Sequence, residues 1–90
     1  MQHKNEKTAE LAVVIGEIIK ELRQSRQYSI NRFSREYDLD VGNTSRIEKG
    51  AIEVKVVTLW KIAEAMNINL SELIKLVEER LGKNFHLIDY

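Results

Sequence analysis

The sequence contains no cysteine and no proline. The first absence excludes disulfides, thiolate metal sites and cysteine nucleophiles, and with no sign of an oxidising compartment a cytoplasmic setting is expected. The second, with only four glycines in 90 residues, leaves little to break a helix. Long apolar runs are missing too. The stretch at residues 11–19 is interrupted by Gly16 and Glu17 and is too short for a membrane span or a signal peptide. Nor does one sign of charge dominate, since fourteen basic side chains balance fourteen acidic ones. Within residues 20–61, however, nine basic side chains face six acidic ones, and the remainder carries the opposite surplus. A modestly positive middle between acidic ends fits a polyanionic partner, and it fits ordinary solvated surface as well. At this length one domain with one core must carry whatever site there is.

What is present is a recurrence of apolar residues at three- and four-residue intervals, which predicts five helices. The first covers about residues 8–24, with Leu11, Val14, Ile15, Ile18, Ile19 and Leu22 on one face. Lys20, Arg23 and Arg26 gather towards its C-terminus, where cations suit the helix dipole. Ser29 is expected to cap a second helix, stapled by Tyr28 and Phe33, with Ile30, Phe33, Ser34 and Tyr37 facing inward. A tight turn at Asp38 and Leu39 follows. Asp40 then caps a third helix running to Lys49, closed by Gly50 in the left-handed conformation, with Thr44 and Ile47 inward. The fourth presents Val56, Leu59, Trp60, Ile62, Ala63 and Met66 to the core and stops at Asn67; its start is open between Lys55 and a cap at Thr58. Ser71 is expected to cap a fifth helix through Leu73, Ile74, Leu76, Val77 and Leu81, ended by Gly82. The chain thus divides into a flexible N-terminus (1–7), an all-α domain (8–82) and a short tail (83–90). Ile18, Leu22, Phe33, Ile47, Leu59, Ile62 and Leu73 should share one core.

Two short helices, 29–37 and 40–49, joined by a tight turn form the arrangement in which the second can enter a DNA major groove. The outward face of that helix, Gly42, Asn43, Ser45, Arg46 and Lys49, is small, polar or basic. Asparagine bonds adenine bidentately, arginine does so with guanine, and small residues permit close approach. Taken from the residues alone, the same face could equally be the solvated side of a structural helix. His3 and His86 have no acidic or cysteine cluster at ligand spacing, which argues against a metal site. Asp38 and Asp40 read as turn and cap residues and not as a catalytic pair, so neither enzymatic activity nor a cofactor is expected. Trp60 reads as a core anchor.

Over about residues 14–76 the sequence resembles the Cro/XRE-type helix-turn-helix family, which includes the phage lambda repressor-like domains. The resemblance rests on Val14-Ile15-Gly16-Glu17 with Leu22-Arg23, on Ser29 with Phe33 and Tyr37, and on the run Ser45-Arg46-Ile47-Glu48-Lys49-Gly50. It continues through Leu59, Lys61-Ile62-Ala63, Ala65 and Leu70-Ser71-Glu72-Leu73. It implies a compact five-helix domain of a bacterial or phage-encoded transcriptional regulator, a repressor by preference, that binds double-stranded DNA sequence-specifically. Val41, Gly42, Asn43, Ser45 and Arg46 would face bases or nearby phosphates, and Ser29 and Asn31 would approach the backbone at a helix N-terminus. Arg32 and Lys49 would chiefly position the protein on phosphates. Glu48 would be tied into the fold, with Arg23 as its partner. The chain departs from the family at Ile30, where Gln is frequent, at Ser34 for Ala, at Asp38 for Gly and at Val54 for Pro. Ile30 and the two aspartates leave a competing reading: an interaction module that kept the fold and lost DNA recognition, which would show an apolar patch on this face.

One recognition helix reads only a few base pairs, so a homodimer on a palindromic operator is expected. Leu76, Val77, Leu81, Phe85, Leu87, Ile88 and Tyr90 offer the apolar surface for pairing. The alternative is a tail that folds back on its own core. No small-molecule ligand and no membrane partner is indicated.

Overall fold

Four successive helices end in the same local geometry, and that repetition builds the fold. A computed structural model describes residues 6–88 and contains α1 (Glu6–Ser25), α2 (Ile30–Glu36), α3 (Val41–Glu48), α4 (Val56–Ala65) and α5 (Leu70–Leu81). His3 and Tyr90 lie outside the described residues. Glu6 and Lys7 already belong to α1, so the helix reaches into the stretch expected to be flexible. After each of α1 to α4 one residue turns left-handed: Gln27, Asp38, Gly50 and Asn67, with φ of 59, 56, 71 and 60°. The next amide then donates five residues back, Tyr28 to Arg23 O (3.2 Å), Leu39 to Ser34 O (2.7 Å), Ala51 to Arg46 O (2.9 Å) and Ile68 to Ala63 O (3.1 Å). These are Schellman closures, which satisfy the last carbonyls of a helix and reverse the chain within a few residues. Tyr28, Leu39 and Ile68 pack back on the core just beyond them.

The starts of α2 and α3 are the expected ones. Ser29 accepts from the Arg32 N–H at 3.1 Å, and the Asp40 carboxylate accepts from the Asn43 N–H at 2.7 Å. α4 begins at Val56 after Lys55. The cap of α5 is Asn69 and not Ser71: the Glu72 carboxylate accepts the Asn69 N–H at 2.9 Å, so the helix opens two residues before the expected serine.

α1 packs against α3 and α5, α2 against α3, and α4 against α5. Phe33, Ile19, Ile62, Met66 and Leu73 are fully buried at their junction, with Ile18, Ile47 and Leu59 beside them and Leu22 at the edge. Three residues expected inward are at the surface. Val56 and Trp60 are 67% and 54% exposed, because α4 turns only its Leu59, Ile62, Ala63 and Met66 side to the core. Tyr37 is exposed at the end of α2, its ring 5.6 Å from Phe33 and its hydroxyl 3.2 Å from that of Tyr28. The opposite correction applies to Val77, expected on a pairing surface but buried in the core of its own chain.

The approach of α1 to α3 is unusually close. A Cβ at Gly16 would meet the main-chain carbonyls of Ile47 and Glu48, the Glu48 oxygen at 2.6 Å. One at Gly50 would lie 2.7 Å from the Val13 Cα. Two glycines therefore let the backbone of α1 rest on the C-terminal end of α3. At the far end of α1, Arg80 of α5 donates to both carboxylate oxygens of Glu21 at 2.7 and 2.8 Å. The tail runs back along α1, and Leu87 helps line a mostly apolar cleft of about 270 Å³ with Leu11, Ile15, Ile47, Ile52 and Val54. No helix among the described residues is long and apolar enough to cross a membrane.

Candidate nucleic-acid interface

α3 has an inner side that is fixed and an outer side that is free. Inside, Ile47 enters the core and the buried Thr44 hydroxyl donates to Asp40 O at 2.8 Å. Glu48 accepts two bonds from Arg23, Nε to Oε2 at 2.7 Å and Nη2 to Oε1 at 3.0 Å, and both side chains are buried. Arg23 spends its remaining arm on Tyr28 O at 2.6 Å, the carbonyl that leads into α2. One guanidinium thus ties the end of α1, the start of α2 and the end of α3 together, and its bond to Glu48 raises its pKa further above the ordinary arginine value. Glu48 is structural, as the resemblance implied.

On the outer side Val41, Gly42, Asn43, Arg46 and Lys49 are exposed and Ser45 is half-buried. Among the described residues the side chains of Asn43, Ser45, Arg46 and Lys49 make no hydrogen bond or ion pair. Arg46 folds back over Gly42: a Cβ there would stand 3.5 Å from both Nη atoms, and 3.4 Å from Asp40 Oδ1. The guanidinium thus lies over the N-terminal tip of the helix, the end that meets base edges in this type of docking, at a distance that would leave ordinary contact room for a Cβ at position 42. The acid that seemed out of place there, Asp40, holds the Asn43 amide and favours the positive end of the helix dipole.

α2 places Ser29, Asn31 and Arg32 at its exposed start. Arg32 is engaged already, with Nε 3.3 Å from Glu36 Oε1 and its guanidinium 4.7 Å above the Tyr28 ring. Such exposed contacts are weak. Ser34 lies fully buried behind this surface, and its hydroxyl has no partner among the described residues. The residues expected on the outer face of α3 do share its exposed side. The sequence did not disclose the close seat of Gly16 on α3, or the Arg80 tie to Glu21, which joins residues 59 apart.

A family model described as the Cro/C1-type HTH DNA-binding domain matches residues 18–79, more than two thirds of the chain and all of α2, α3 and α4. The chain belongs to that family. It is 33% identical over 64 residues to the HTH-type transcriptional regulator SutR of Escherichia coli K12, which amounts to 71% of this chain but only 36% of SutR. Among solved structures, the restriction-modification controller protein C.AhdI of Aeromonas hydrophila superposes with a TM-score of 0.65 at 29% identity. That match covers 69% of this chain and 94% of C.AhdI. An HTH_3 family transcriptional regulator of Vibrio cholerae gives 0.70 at 25% identity over 76% of this chain and 38% of its own.

Proposed function

We propose that this chain is a sequence-specific regulator of transcription that inserts α3 in the major groove, acting as a repressor where its operator overlaps a promoter. The observation that carries this reading is the division of α3 into an inner side fixed by Ile47, Thr44 and the Arg23–Glu48 pair and an outer side of unengaged Asn43, Arg46 and Lys49. An interaction module would need an apolar surface on α3, and Val41 is the only large apolar residue that helix exposes. The reading assigns no catalysis. In it Arg46 and Asn43 read bases, while Lys49, Arg32 and the start of α2 at Ser29 and Asn31 engage phosphates. Arg46→Ala is then expected to relax preference at defined base positions at a loss of about 1–3 kcal/mol, whereas Lys49→Ala weakens all sequences alike and lowers the salt slope by about one. Selection from randomised DNA followed by titration at several salt concentrations checks both; unchanged binding in the two variants rejects the reading.

A homodimer on a palindrome is part of the same proposal. The surface that supports it differs in part from the one first expected, since Val77 is buried and Leu81 packs on the core. Val56, Val57 and Trp60 on α4 form the most exposed apolar group on the described helices, with Leu76 exposed on α5, Phe85 half-buried, and Leu87 and Ile88 exposed in the tail. A second copy of the chain is the partner proposed for these residues.

A further inference from the structure

Val41 is an anomaly on the outer side of α3. It is the first residue of the helix and 38% exposed. A β-branched apolar residue is a poor choice for a helix surface that needs nothing from it, since it lowers helix propensity and leaves apolar area in water. Its neighbours are Asp40, whose carboxylate is held by the Asn43 amide, and Gly42, which has no side chain. The isopropyl group therefore keeps part of its surface open at the same tip to which Arg46 carries its guanidinium.

Of the groups that distinguish the bases in the major groove, the C5-methyl group of thymine is the apolar one, and the others are hydrogen-bond donors and acceptors. We infer that Val41 is a specificity-determining residue that packs on the C5-methyl group of one pyrimidine in each half-site, beside the guanine read by Arg46. The inference rests on α3 being the reading helix. Because the contact is with the methyl group and not with the exocyclic atoms, it makes a second claim: 5-methylcytosine offers the same surface, so methylation of a cytosine at this position strengthens binding.

The test uses the full chain and the operator obtained by selection. Each thymine is replaced singly by deoxyuridine, which removes only the methyl group, and affinity is measured for the wild type and for Val41→Ala, with thermal melting to show that the variant is folded. One thymine per half-site is expected to lose about fourfold in wild-type affinity on replacement, the worth of one methyl group taken out of water. Val41→Ala should bind the thymine and deoxyuridine operators alike. With cytosine at that position, 5-methylation should recover a similar factor for the wild type and nothing for the variant. Insensitivity of every thymine, or a deoxyuridine loss that persists in Val41→Ala, overturns the assignment while leaving DNA recognition by α3 intact. Failure of the wild type to select any sequence overturns both.

Discussion

Taking away Glu48 would strand a guanidinium that three helix ends share. Arg23 and Glu48 are both buried, and breaking such a pair leaves an uncompensated charge away from water. Glu48→Ala is therefore expected to destabilise the domain by about 3 kcal/mol. The buried hydroxyl of Ser34, which lacks a partner among the described residues, sets the opposite sign: Ser34→Ala should stabilise by about 1 kcal/mol. Urea denaturation of the two variants checks the contrast. Of these residues the sequence disclosed the pair, through the run Ser45-Arg46-Ile47-Glu48-Lys49-Gly50 and the upstream Arg23. It could not disclose the state of Ser34, because whether a buried hydroxyl finds an acceptor depends on atoms brought in by other helices.

Helix ends were more legible than helix faces. Ser29, Asp40, Gly50 and Asn67 act locally, through bonds to amides and carbonyls a few residues away, and all four stand where the sequence placed them. Ser71 misled because a serine two residues inside a helix looks the same in sequence as one at its cap, and the reciprocal bond from Asn69 to Glu72 decided the matter. On α4, spacing alone could not tell which apolar residues the core would accept. Val56 and Trp60 follow a helical period as well as Leu59 and Ile62 do, yet the core takes only the second pair. Two of the Schellman closures use residues other than glycine or asparagine, Gln27 and Asp38. Gln27→Gly and Asp38→Gly are each expected to stabilise by about 0.5–1 kcal/mol, since glycine adopts that conformation without a Cβ clash. Thermal melting reads the gain, and a fall in melting temperature would mean that the side chains contribute more than the backbone strain removes.

For the molecule as a whole, the pairing proposal adds a surface on α4 that the sequence had assigned to the core. If α4 carries the contact, Trp60→Glu should shift sedimentation to the monomer while a chain ending at Gly82 remains dimeric. The reverse outcome returns the interface to the tail, and a wild type that sediments as a monomer both free and on operator DNA rejects the dimer. The close seat of α1 on α3 reaches further than stability. With backbone against backbone at Gly16 and Gly50, and Arg23 bolting the same junction, tight packing opposes any slide or tilt of α3 towards an imperfect site. Accommodation then falls on the nucleic acid. An operator would be chosen partly by how readily its untouched central base steps bend and twist, so that sequence changes the protein never contacts still alter affinity.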